Sequence, residues 1–122
     1  MGKKINSPWL KKFLLSAYQS ELFNQWLSRR LDEGLFLDIC EGDACFKKGD
    51  DRPFVFKAEG DITTVHYTGP LFGKKMFWPS GEFQSKEEKL WQDQGHSLEG
   101  LKDFPLYGGR RSGRILVPDL KI

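Results

Sequence analysis

The sequence predicts an α+β fold: a long N-terminal helix packed on a small, mainly antiparallel sheet, with one or two short helices. Three observations carry this. Ser7-Pro8 opens a segment whose apolar residues recur at helical spacing as far as Gly34. From residue 35 to 67, short apolar or β-branched runs alternate with turn residues. Ser85-Lys86-Glu87-Glu88 then has the composition of a helix-capping box.

The first helix is predicted over residues 8–33, with Ser7 as N-cap, Pro8 at the first helical position and Gly34 as its stop. Trp9, Leu10, Phe13, Leu14, Tyr18, Leu22, Trp26 and Leu31 give it more than one apolar stripe. Such a helix needs cover on most sides, with one side left open for further protein to pack. Residues 35–40 are predicted as a strand, Glu41-Gly42-Asp43 as a turn and residues 44–47 as the return strand. A turn over 49–53 leads to a third strand at 54–56, and a turn over 58–61 to a β-rich segment at 62–67. Residues 68–81, dense in Gly and Pro, are expected to hold little regular structure, tied to the core by Phe72, Met76, Phe77 and Trp78. A second helix should start at Ser85, run to about Gln94 and stop at Gly95, and Ser97 should cap a shorter turn through Leu101. Residues 108–113 read as a basic, glycine-rich link, 114–117 as a strand, and Leu120-Lys121-Ile122 as its extension after Pro118.

A chain of 122 residues suffices for one domain with a modest core. Aromatic residues make up 14%, so a few large rings supply much of the buried area. Charged residues reach 30%, yet the net charge is +2, which excludes a strongly basic polyelectrolyte binder. Binding to an anionic partner then requires Lys and Arg to be segregated in space. No apolar run is long enough to span a membrane, no signal-peptide apolar core follows Met1-Gly2-Lys3-Lys4, and the expectation is a cytoplasmic protein. Cys40 and Cys45 have neither a redox nor a zinc spacing, and His66 and His96 lie far apart, so reduced thiols and no metal are expected. Neither Gly-x-Ser-x-Gly nor a P-loop occurs.

At about 100° per residue, Ser16, Gln19, Ser20, Phe23 and Asn24 fall within one arc of the first helix. Hydroxyls, amides and one ring suit a face that hydrogen-bonds something specific, or a close contact inside the protein. Arg110, Arg111 and Arg114, in the Gly108–Gly113 frame and just after it, suit bidentate contacts to phosphate. Lys74-Lys75 beside Trp78 is a second cation–aromatic candidate. Lys11-Lys12 and Lys47-Lys48 read as ordinary surface charge.

Ser16-Ala17-Tyr18-Gln19-Ser20-x-x-Phe23-Asn24 resembles the helical motif of the TruD family of tRNA pseudouridine synthases. Glu41-Gly42-Asp43 resembles the turn that follows it, Thr68-Gly69-Pro70-Leu71-Phe72-Gly73 resembles the Gly-Pro-Leu-x-Gly segment, and Gly108-Gly109-Arg110-Arg111 resembles the Gly-x-Arg-Arg segment. The four blocks stand in the family's order. The resemblance implies an enzyme that detaches uracil from ribose, rotates it and rejoins it through carbon, with no metal or organic cofactor. It implies tRNA as partner. The family's catalytic Asp segment is not matched: Gly100-Leu101-Lys102-Asp103 copies its first four letters, but Phe104-Pro105-Leu106 follows and the order is wrong. On that reading residues 1–107 are the family's inserted domain, and 108–122 a basic link and strand leading back to a catalytic domain that is absent. The expected part is RNA binding and active-site closure, with no catalytic residue and no pseudouridine made by this chain alone. A non-catalytic RNA-binding module and a purely structural domain are the alternatives.

Overall fold

A computed structural model of the chain describes residues 8–58 and 64–113. Helix α1 spans Pro8–Asp32. Gly34, at φ 77, ends it: Gly34 N–H donates to Leu31 O and Leu35 N–H to Arg30 O, the paired bonds of a left-handed C-terminal cap. Ser7 and the segments 59–63 and 114–122 lie outside the described residues, and with them the predicted N-cap, one turn, the last strand and Arg114.

The sheet has strands β1 (Ala44–Lys47), β2 (Phe54–Val55), β3 (Val65–Leu71) and β4 (Gly109–Ser112), all antiparallel, in the order β2-β1-β3-β4. Pairing on β3 is staggered. Its first half, Val65 to Tyr67, pairs with β1, and its second half, Thr68 to Leu71, pairs with β4. Helix α2 (Glu82–Asp93) and a 3-10 helix (Leu98–Asp103) complete the fold.

Four expectations are corrected. Residues 35–40 form no strand. Their polar backbone is satisfied by side chains instead: Arg30 donates to Leu35 O (2.9 Å) and Asp38 O (2.7 Å), Tyr67 Oη to Phe36 O (2.6 Å), and Asp43 accepts from Cys40 N–H (2.8 Å). Residues 68–71, expected to be irregular, continue β3. Gly113 N–H donates to Tyr67 O, so alternation puts Pro70 in a non-hydrogen-bonded pair with Arg110. Its missing N–H faces away from β4, where β1 has ended. Gly69 is needed here because a Cβ would lie 2.3 Å from the Trp26 ring. Residues 109–112 are a strand and no link. Finally, α2 starts three residues before Ser85: Gly81, at φ 62, opens it and Ser85 N–H already donates to Gly81 O. The end of α2 near Gly95 and the Ser97 cap, which accepts from Gly100 N–H, stand as expected.

The core joins the second half of α1 to the sheet and α2 through Leu22, Trp26, Cys45, Tyr67, Phe72, Leu90 and Trp91. Phe72 stacks on Trp91 at 5.2 Å, and Trp26 meets Tyr67 edge-on at 5.9 Å. The first half of α1 is uncovered: Trp9, Phe13 and Leu14 are exposed, so it is an end of the helix, and not one side, that is open.

Both cysteines are free thiols. Burial pushes the Cys45 thiol up to about 12. A thiol whose folded pKa exceeds its unfolded value near 8.5 contributes stability that is complete below that value and is lost as pH rises toward the folded one. Melting curves across about pH 8 to 11 should show the melting temperature falling, and Cys45→Ala should flatten that fall. Parallel slopes in both proteins would refute the assignment.

Candidate nucleic-acid interface

The polar arc of α1 is divided. Gln19 Nε2 donates to Phe72 O (2.8 Å) and to Tyr107 O (3.1 Å), joining the helix to two other segments at once. Ser20 Oγ lies 3.4 Å from an Arg111 nitrogen, and the Arg111 guanidinium sits 5.1 Å from the centre of the buried Phe23 ring. Ser16 and Asn24, the first and last of the set along the helix, are exposed.

β-strand alternation sends Arg110 and Arg111 to opposite faces. Arg110 points inward, with its side chain 1% exposed. It forms a bidentate pair with Glu87, both contacts 2.7 Å, and donates also to Thr68 Oγ1, Thr68 O and Phe77 O. All five of its N–H groups are thus taken by protein. Phosphate contact, expected of Arg110, is corrected: this guanidinium is structural. Burial raises the Glu87 carboxyl, against the opposing pull of Arg110. Arg111, by contrast, is exposed.

Lys74 and Lys75 meet Tyr107, where Trp78 was expected. Their ammonium groups lie 4.9 Å and 5.8 Å from the centre of its ring. The segments 72–75 and 106–108 cross closely: Lys74 N–H donates to Leu106 O (3.0 Å) and Gly108 N–H to Lys74 O (2.7 Å). Only glycine fits at 73, where a Cβ would stand 2.5 Å from Leu106 O.

Charge is segregated around α1. Arg29 pairs with Asp93, Lys86 with Glu33 and Glu82, and Lys89 with Asp93, all on the side facing α2. Nine residues separate Ser20 from Arg29, a half-turn of the helix surface. On the Ser20 side, Lys74, Lys75 and Arg111 have no acid within ion-pair distance among the described residues. Asp103 ends the 3-10 helix and is exposed.

Two residues with a part in this arrangement escaped the sequence reading. Tyr107 carried a usable signal, an aromatic directly before a basic glycine-rich segment. Glu87 carried none, since Ser85-Lys86-Glu87-Glu88 reads as a helix-capping box.

The sequence profile of the family described as tRNA pseudouridine synthase D (TruD) matches residues 4–122. The chain is 32% identical to the tRNA pseudouridine synthase D of Thermus thermophilus, over 99% of this chain and 35% of that protein. It is 32% identical to that of Anaeromyxobacter dehalogenans, over 99% of this chain and 36% of the relative. A crystal structure of tRNA pseudouridine synthase D from Methanosarcina mazei aligns with a TM-score of 0.65 at 25% identity, covering 78% of this chain and 26% of the other. The chain spans about a third of the length of the curated relatives it matches.

Proposed function

Because this chain belongs to the TruD family of tRNA pseudouridine synthases, we propose that it serves in the conversion of uridine to pseudouridine in tRNA, holding the tRNA and closing over the catalytic domain. Lys74, Lys75 and Arg111 are the phosphate contacts in this reading, with exposed Ser16 and Asn24 beside them. Arg114, next along the chain, is proposed with them on sequence alone.

The observation that carries the reading is the segregation of charge. A chain of net charge +2 has no general attraction for RNA. It acquires a local one where Lys74, Lys75 and Arg111 have no acid within ion-pair distance among the described residues, while the cations on the α2 side of α1 are paired. A second role is favoured by Gln19, whose two amide bonds reach main-chain carbonyls. Gln19 acts as a joint that fixes the cation-bearing segments against α1, and reads no RNA through its donors.

Titration of the chain with unmodified tRNA at low and moderate salt tests this. Arg111→Ala and the paired change Lys74→Ala/Lys75→Ala should weaken binding and lower the salt slope by about 0.7 to 0.9 for each lost phosphate contact. Arg29→Ala should leave both unchanged. Undetectable binding at low salt, or equal losses from Arg29→Ala, would count against the assignment.

A further inference from the structure

We propose that Tyr107 is a stacking platform for one unpaired RNA base, with Lys74 and Lys75 holding the phosphates next to it; this rests on the tRNA-contact role proposed above. Tyr107 is 64% exposed. Its main chain is nevertheless fixed on both flanks, by the Lys74–Leu106 and Gly108–Lys74 bonds and by Gln19 on Tyr107 O. A ring on so constrained a backbone loses little freedom when something docks on its face.

The second observation is the backbone of Lys75. Successive side chains of an extended segment leave on opposite sides. Lys75 has φ 57, a left-handed conformation that costs a lysine more than it would cost glycine, and it is the one described non-glycine residue with positive φ. The turn breaks the alternation and brings both ammonium groups within 6 Å of one ring. Among the described residues neither has an acid within ion-pair distance. Two like charges gathered beside an exposed ring, at a cost in backbone strain, fit a ligand that is flat and anionic together. A nucleobase with its flanking phosphates has both properties, and aromatic stacking accepts any unpaired base.

The test is a fluorescence-anisotropy titration with a short unpaired oligoribonucleotide carrying a dye at its 5′ end, and with the same labelled oligonucleotide made abasic throughout. Tyr107→Ala should weaken binding of the intact oligonucleotide at least about fivefold, with the salt slope unchanged. Tyr107→Phe should retain the affinity. The unaltered chain should bind the abasic oligonucleotide as weakly as Tyr107→Ala binds the intact one, a comparison that needs no variant to fold. Equal affinity for intact and abasic oligonucleotides would overturn the stacking role. If Lys74→Ala/Lys75→Ala still weakened binding in that case, the tRNA contact would stand without it. Failure of the unaltered chain to bind either oligonucleotide or tRNA at low salt would overturn both.

Discussion

Glu87→Ala should lower the stability of this domain by about 3 to 5 kcal/mol, roughly 10 to 20 °C in melting temperature. The substitution leaves the Arg110 guanidinium in the interior with two of its five bonds gone and its charge uncompensated. An uncompensated buried charge costs far more than the pair contributes. Replacing both partners, as in Glu87→Leu/Arg110→Met, should recover part of the loss: no charge remains to be solvated, but Thr68 O and Phe77 O lose a donor. Thermal unfolding followed by circular dichroism separates the cases. A single variant that melts within a degree or two of the parent, or a double variant no better than the single, would sink the idea.

Arg30→Ala should cost a similar amount, about 3 to 5 kcal/mol, through a different route. Arg30 lies across the C-terminal end of α1, 3% exposed, with its guanidinium 3.6 Å from the centre of the Tyr67 ring. It pairs with both oxygens of Asp43, at 2.7 Å and 2.9 Å, and holds the carbonyls of Leu35 and Asp38. Its loss strands a buried carboxylate and frees the segment between α1 and β1. Amide hydrogen exchange over residues 35–43 should therefore accelerate well beyond the global change. Arg30→Lys should rescue little, since one ammonium cannot span four acceptors in a plane. Arg29→Ala, one position away and solvent-facing, should move stability by no more than about 0.5 kcal/mol. Uniform exchange along the chain in Arg30→Ala would contradict the local role.

These two ion pairs also explain where the sequence was readable and where it was not. Helix α1, its Gly34 cap, β1, β2 and the Ser97 cap follow from local signals, and the structure keeps them. Residues 35–40 have strand composition but meet Arg30, Asp43 and Tyr67, which take the backbone partners a neighbouring strand would have supplied. Nothing local announces that exchange. Residues 68–71 and 109–112 look irregular because Gly and Pro disfavour strands. Pairing with each other, and Gly69 admitting Trp26, overrides the preference. In the interface, adjacent arginines look alike in sequence. Strand formation decides that Arg110 turns in to Glu87 and Arg111 turns out. Lys74 and Lys75 were legible as cations beside an aromatic, though the ring they meet lies over thirty residues on, across a chain crossing that no spacing rule reveals.

The staggered pairing of β3 has a mechanical consequence. No residue of that strand is in register with β1 and β4 together, so the sheet is built like a lap joint, with two overlapping plates sharing one strip. The two plates overlap at Tyr67 and Thr68: Tyr67 stands opposite Cys45 and also accepts from Gly113 N–H, just beyond β4. That seam is riveted from both plates: Thr68 Oγ1 donates to Ala44 O at 2.7 Å, and Arg110 grips the same residue from the β4 side. Among the described residues, Thr68 is thus the one residue of β3 whose side chain is bonded to β1 and to β4 at once.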